Sequence, residues 1–502
     1  MPARERISGV DTAWLRMEHP NNLMMIVGVL MFREKLAFAL VKKVLRSRWL
    51  GFARFRQRAV QDPTGAWWEE CEDFNLDAHV KRVRLPGKGG KAELEDLVSA
   101  LSSTGLDFSR PLWDFHLVEN YNGGTALISR IHHCYADGIA LIGVMLSLTG
   151  GTAAESLVLP RPDAPRERPE MDFWTSVTQP VAGVWKGALK MTRSLLEQGL
   201  EIARDPSSAR GLAQKGIELA DELRRIAMMA SDSPTRFKGE LGVAKRVAWA
   251  EPMLLHEVKL LGKALGCSIN DVLLANAAGA LRAYLEERGD PTAGVEVRAV
   301  VPVNLRAAHT ATELGNHFGL VFLELPVGID DPIERLHAVR ARMQALKGSH
   351  QPIVAFVLLN AVGLGPKILQ DQVAGLIGKN ATAVMTNVPG PQHPIYFGGC
   401  EIVELDFWVP QSGGIGMGVS ILSYNGRVQF GIVTDANLVP DPERIIDHFG
   451  DQFERLVFSA LMAPHAPEFE PALAAAFGGA SVAVDVPKPA AGKRIPKRFR
   501  KG

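Results

Sequence analysis

The run IHHCYADGIA, Ile131 to Ala140, constrains the local fold more tightly than any other part of this chain. Before it lies GTALISRI, Gly124 to Ile131, which is apolar, partly alternating and opened by glycines, and so predicts a strand. After Asp137-Gly138 comes IALIGVMLSL, apolar enough for a buried helix. His132 and His133 therefore sit where a strand ends and a turn leads into a helix. Side chains alternate faces along a strand, so the two rings are expected to point in opposite directions. One can face an open cavity while the other packs into the protein. That arrangement suits a single general base with a pKa near neutrality. Plainer roles are open to the same residues. Histidines also serve as packing, and Asp-Gly is a common turn dipeptide. His132, His133, Cys134 and Asp137 are possible metal ligands, but opposed side chains argue against joint chelation. The chain holds no CxxC pair and no HExxH helix, so no metal is expected.

A chain of 502 residues would hold roughly three domains by length, and two large ones suit this sequence. With 47% hydrophobic residues it can bury sizeable cores. Its 56 basic and 55 acidic side chains leave a net charge of +1, which argues against a nucleic-acid binder. Cys71, Cys134, Cys267 and Cys400 are scattered without framework spacing, which fits a reducing cytoplasm. MPARERISGVDTAW lacks the apolar core of a signal peptide. No apolar run approaches the ~20 residues that span a bilayer, so membrane contact is expected to be peripheral.

The first unit, residues 1–160, carries the histidine motif. A Pro- and charge-rich break, LPRPDAPRERPE, opens a linker and helical connector over residues 161–235. In it Trp185, Leu189, Thr192, Leu196 and Leu200 share one helical face, flanked by Lys186, Lys190 and Arg193. Packing on the body of the protein explains that stripe, and so would lying on lipid. Residues 236–465 form the second unit. PMLLHEVKLLGKALG predicts a helix ended by Gly266, and SINDVLLANAAGALRAYLEERG the next helix. Strands are predicted over residues 296–304, 318–327, 381–388 and 427–435, and ERIIDHFGDQFERLVFSALM is a terminal amphipathic helix. Residues 466–502 end in KPAAGKRIPKRFRKG and read as a disordered basic tail able to approach anionic lipid. This mixture is not a strict βαβ alternation. It predicts an α/β fold of two sandwich-like domains with mixed sheets.

The motif HHxxxDG resembles the signature of the coenzyme A-dependent acyltransferase superfamily, shared by chloramphenicol acetyltransferase and peptide-synthetase condensation domains. Further blocks narrow the resemblance to bacterial wax ester synthase/acyl-CoA:diacylglycerol acyltransferases. They are SGVDTAWLRMEHPNNLMM, SRPLWDFHLVEN, SINDVLLA, VPVNLR, GNHFGLVFLELPVGIDDP and NVPGP, which follow in the family's order from the N-terminus to about Phe449. The resemblance implies two chloramphenicol-acetyltransferase-like domains with the active-site channel between them. It also implies transfer of a fatty acyl group from acyl-CoA to a long-chain alcohol or a diacylglycerol, with acyl-CoA as co-substrate and no cofactor. The expected location is cytoplasmic, peripheral to the inner face of the membrane or to lipid inclusions. Two other readings use the same fold: a non-catalytic lipid-binding or membrane-organising protein, and a condensation-type acyltransferase.

By the same resemblance His133 is the general base that takes the acceptor's hydroxyl proton as it attacks the thioester, and His132 packs on the opposite face. No GxSxG elbow is present, and Cys134 is expected to be core, so direct transfer follows. Asp137 is expected to be structural in this superfamily and to pair with an arginine, for which Arg306 in VPVNLR is available. Gly138 is expected to allow close backbone approach or a conformation closed to other residues. Ser268 and Asp271 fit a capping box, which leaves Asn270 for a polar role near the site. Pro111, Leu112 and Trp113 match the family's PLW motif, and with Asn387 of NVPGP they are candidates for the substrate channel. Tyr135 and Lys238 depart from the family pattern, Tyr135 as a bulky residue beside the motif.

Overall fold

Two Asn-Gly dipeptides organise the two large sheets. At Asn122-Gly123 φ is 45° and 82°, and at Asn425-Gly426 it is 47° and 73°. Positive φ at both central residues defines a type I′ turn, whose twist matches that of paired strands. The first turn joins β6 (Trp113–Tyr121) to β7 (Gly124–His132), and the second joins β15 (Met417–Tyr424) to β16 (Arg427–Asp435). The computed structural model describes residues 4–159, 224–226, 228–305, 314–347, 349–365, 367–411 and 413–462. The expected connector stripe, Arg306 and the basic tail lie outside the described residues.

The first sheet has six strands in the order β13 (Tyr396–Phe397), β14 (Cys400–Trp408), β2 (Met25–Phe32), β7, β6 and β5 (Val80–Val83). The second runs β11 (Phe318–Leu325), β10 (Val297–Asn304), β12 (Ala383–Pro389), β15, β16 and β8 (Lys245–Trp249), with β9 (Met253–Leu254) also on β16. Both are mixed. β5 lies parallel to β6, and β12 lies parallel to both β10 and β15. A small sheet of β1 (Arg4–Arg6), β4 (Gly65–Glu70) and β3 (Gln57–Asp62) flanks the first. The four strands expected in the second half form as β10, β11, β12 and β16.

Helices cover the sheets. In the first half they are α1 (Gly9–Met17), α2 (Phe38–Val44), α3 (Lys91–Ser102), α4 (Gly138–Ser147) and α5 (Ala153–Leu157). In the second they are α6 (Leu255–Ala264), α7 (Ile269–Glu287), α8 (Pro332–Lys347), α9 (Gln351–Leu364), α10 (Lys367–Asn380) and α11 (Pro442–Met462). α6 ends as expected before Gly266, whose φ is +64°. α7 is buried along its length because it packs between the second sheet, α8 and α11, burying Leu273, Leu281 and Leu285. Among the described residues no single helix is long and apolar enough to cross a membrane.

The unit expected over residues 236–465 does not keep to itself. β14 crosses over to pair with β2 and completes the first sheet. Glu401, Glu404 and Asp406 interrupt the apolar pattern of this strand, which hides it in the sequence. The two halves meet at two further seams. On one, α3 covers the edge strand β8. Glu95 Oε1, Ser99 Oγ and Ser103 Oγ accept from the backbone N–H groups of Trp249 (3.2 Å), Val247 (2.9 Å) and Lys245 (2.8 Å). Four residues of helix rise about 6 Å and two of strand about 6.6 Å, so the ladders stay in step. On the other, α1 crosses α9 so closely that a Cβ on Gly363 would lie 1.7 Å from Gly9 O.

Candidate active site

The motif folds as the expected strand, turn and helix. β7 ends at His132, and α4 starts at Gly138 with Asp137 as its N-cap. Asp137 Oδ1 accepts from Ala140 N (2.9 Å), satisfying a donor that the first turn leaves unpaired. Its other oxygen accepts from His317 N (2.9 Å), which comes from the second half of the chain. The carboxylate thus links backbone donors on two segments.

Residues 315–317 clamp the motif from outside. Ala136 and Gly315 form a parallel bridge, with Gly315 N donating to Tyr135 O (3.1 Å) and Asp137 N donating to Gly315 O (3.3 Å). Gly315 has φ +109°, which a side chain would strain. Asn316 Nδ2 donates to His133 O (2.8 Å) and to Asp11 Oδ1 (2.7 Å), and Asn316 N donates to the same Asp11 oxygen (3.1 Å). One buried amide therefore ties α1, the end of β7 and the loop before β11 together. Burial pushes the Asp11 carboxyl up, and the bonds from Asn316 and Ser8 oppose that shift.

His133 is enclosed, with 6% of its surface exposed, rather than facing an open cavity. The Trp14 indole stacks on its ring at 4.3 Å and 22°, and Phe318 tilts against it at 5.8 Å. Those two rings from α1 and β11 close the space that the sequence left open. Nδ1 is buried without a hydrogen-bond partner. Burial lowers the His133 pKa to about 4, against the opposing charge of Asp137. The ring is therefore neutral and able to accept a proton at physiological pH. His132 packs elsewhere, as expected. Its Nδ1 accepts from Cys134 N (3.1 Å), Nε2 lies 3.5 Å from Glu18 Oε2, and Phe108 meets it edge-on. Cys134 is fully buried, and burial pushes its thiol well up, away from the thiolate form.

Gly138 corrects an expectation. Its φ is not positive, and a Cβ there would meet nothing within 4 Å. It borders an apolar cavity of about 90 Å³ lined by Ile26, Ser129, Ile131, Leu141, Gly390 and Leu422 among others. Ser129 and Ile131 line it from β7, and Leu141 from α4, so it lies on either side of the turn that carries His133 without His133 itself lining it. NVPGP reaches it through Gly390 and Pro391. Asn387 is exposed and donates to Asn270 Oδ1 (2.8 Å), so the structure brings those two candidates together, apart from the cavity lining.

Asp271 completes the expected capping box. Its Oδ2 accepts from Ser268 N (2.8 Å) and its N–H donates to Ser268 Oγ (3.2 Å). Leu112 and Trp113 are core residues of the first half. Trp113 is 1% exposed, donates from Nε1 to Phe55 O (2.9 Å) and packs on Trp49 and Phe115. Pro111 borders a separate polar recess of about 520 Å³ with Arg58, Cys71 and His79. Tyr135 points into the same core as Trp113, accepting from Leu112 N and donating to Gln57 O (2.8 Å). Lys238 pairs with Asp232. Asp11, Trp14 and Asn316 were given no role in the sequence reading, although they lie in its SGVDTAW and GNHFG blocks. Among the described residues no three His, Cys, Asp or Glu side chains are grouped to hold a metal.

Two mixed sheets with a buried histidine at the turn into α4 define a class of acyl-transfer fold. The chain is similar to the wax ester synthase/diacylglycerol acyltransferase from Marinobacter aquaeolei VT8 (21% identity, 91% of this chain and 100% of that one, TM-score 0.63). It is also similar to the starter condensation domain of rhizomide synthetase (13% identity, 91% and 94%, TM-score 0.56). At these identities the likeness is one of fold. Residues 7–273 match the wax ester synthase/diacylglycerol acyltransferase catalytic domain, and residues 314–457 match the C-terminal domain of the same family. The chain belongs to the wax ester synthase/diacylglycerol acyltransferase family, and it is an acyltransferase. Among its relatives, a protein of Mycobacterium tuberculosis H37Rv named as a probable diacylglycerol O-acyltransferase is 30% identical over 404 residues, 78% of this chain and 83% of its own. Another from the same strain, named for the same activity, is 32% identical over 423 residues, 81% and 86%.

Proposed function

We propose that the protein transfers a fatty acyl group from acyl-CoA to the hydroxyl of a diacylglycerol or long-chain alcohol, with His133 as general base. The observation that carries this is a buried, neutral His133 whose carbonyl is held by Asn316, in the turn into α4, the helix that borders the apolar cavity through Gly138 and Leu141. His133 Nε2 takes the hydroxyl proton as the acceptor oxygen attacks the thioester carbonyl, and the same proton leaves with the CoA sulfur. The protonated, buried thiol of Cys134 supports direct transfer without an acyl-enzyme. The apolar cavity supports a hydrocarbon chain as ligand. The names of the mycobacterial relatives favour diacylglycerol as the acceptor.

The protein is also proposed to work at a lipid surface, because both substrates carry long chains. Exposed Phe458 and Met462, one turn apart on α11, support that placement. The deciding experiment incubates the full chain with labelled palmitoyl-CoA and either hexadecanol or dioleoylglycerol and resolves the labelled products. His133→Ala should lower turnover by about 10²–10⁴-fold. Near-normal turnover in that variant would refute the base assignment, and label retained on wild-type protein would refute direct transfer.

A further inference from the structure

We propose that Trp14 is a positioning residue for acyl transfer, whose indole face stabilises the imidazolium form of His133. The inference rests on the base role proposed for His133. During transfer the acceptor's proton passes to Nε2, the acceptor oxygen bonds to the carbonyl carbon, and the C–S bond breaks. The CoA sulfur then leaves with the proton that His133 returns. His133 is cationic only within that sequence. At 4.3 Å and 22° the indole offers its negative face to the ring, and tryptophan gives the strongest such interaction with a cation. A neutral imidazole gains less from it, so the effect falls on the transition state.

Three further observations point to the indole face as the useful part of Trp14. The side chain is 6% exposed, so no bulk water screens the contact. Its Nε1–H is buried without a partner, a cost that phenylalanine or leucine would avoid. Its backbone is fixed, since α1 is packed on Gly363 of α9 and Gln370 Nε2 donates to Ala13 O (2.6 Å). Asp137 and His132 are the titratable groups of the motif whose charges act on the ring, Asp137 favouring its cation and His132 opposing it, with the Asn316 amide beside it. Phe318 meets both rings at a tilt, at 5.8 Å from His133 and 5.9 Å from Trp14, and does not stack on the imidazole.

The test measures kcat and KM for palmitoyl-CoA between pH 3 and 8 in the full chain carrying Trp14→Phe or Trp14→Leu. The Leu variant should lose roughly threefold to thirtyfold in kcat, and the Phe variant less. KM should stay near wild type, and the acid limb of kcat should move to lower pH, because the cation has lost support. An unchanged kcat in the Leu variant would overturn the proposal. So would an acid limb moving up with the plateau retained, since the indole would then only exclude water. Should the Leu variant not fold, the Phe variant decides: equal kcat overturns, and a lower kcat at unchanged KM supports. Near-normal turnover in His133→Ala marks failure of the base role itself, whereas a His133→Ala slowed by about 10²–10⁴-fold beside an unaffected Trp14→Leu marks failure of this inference alone.

Discussion

The two seams between the halves hold the molecule together by different physics. Near the site, α1 and α9 touch backbone to backbone at Gly9 and Gly363, and the buried Asn316 amide bonds Asp11 to the His133 carbonyl. On the far side, α3 lays three polar side chains along the N–H edge of β8. The first seam is short-range and steric, so it fixes geometry. The second satisfies an otherwise open sheet edge and tolerates small shifts. The seams also titrate in opposite senses. His133 is held at about 4 against an ordinary 6.5, so its contribution is complete above 6.5 and erodes as pH falls toward 4. Burial raises Glu95 to about 7 against an ordinary 4.5, so its contribution is complete below 4.5 and is lost as pH rises through 7.

The steric seam is the easier to break. Gly363→Val places carbon where Gly9 O already sits, and should abolish soluble, folded protein, read as loss of a cooperative melt. A variant that melts like wild type would show that the crossing yields. Asn316→Ala comes next. It strands the His133 carbonyl and leaves Asp11 Oδ1 with only the backbone N–H of residue 316, and should cost about 1–3 kcal/mol with most of the activity. A stable protein that is merely slow would separate orientation of His133 from support of the fold. The smallest effect belongs to the polar seam. Glu95→Gln keeps an acceptor for Trp249 N and removes the charge, so thermal stability should change little at pH 5 and rise above wild type at pH 9. Parallel pH profiles for the two proteins would show that Glu95 does not set the alkaline limb.

Much of the frame was legible in the sequence because it is local. The strand and helix around HHxxxDG, the Ser268–Asp271 cap and the Gly266 stop each depend on a few neighbouring residues. The Asn-Gly turns obey the same local logic. Partners distant in sequence were not legible. Nothing near His133 announces that Trp14 and Phe318 will cover it, and nothing near Asn316 announces Asp11. Gly138 misled for a related reason. A glycine in a turn suggests backbone freedom, whereas here it keeps volume open beside a cavity that six separate segments enclose.

The crossing of β14 also bears on how the chain is made. β2 and β7 can pair early, but the other edge of β2, reading MIVGVLMF, has no partner until Trp408 has left the ribosome. At about 5–20 residues per second, that edge waits on the order of tens of seconds. An apolar strand with free N–H and C=O groups is a template for pairing with other chains. The nascent first half is thus an adhesive intermediate. That exposure ends only when β14, from the last quarter of the polypeptide, pairs with the edge of β2.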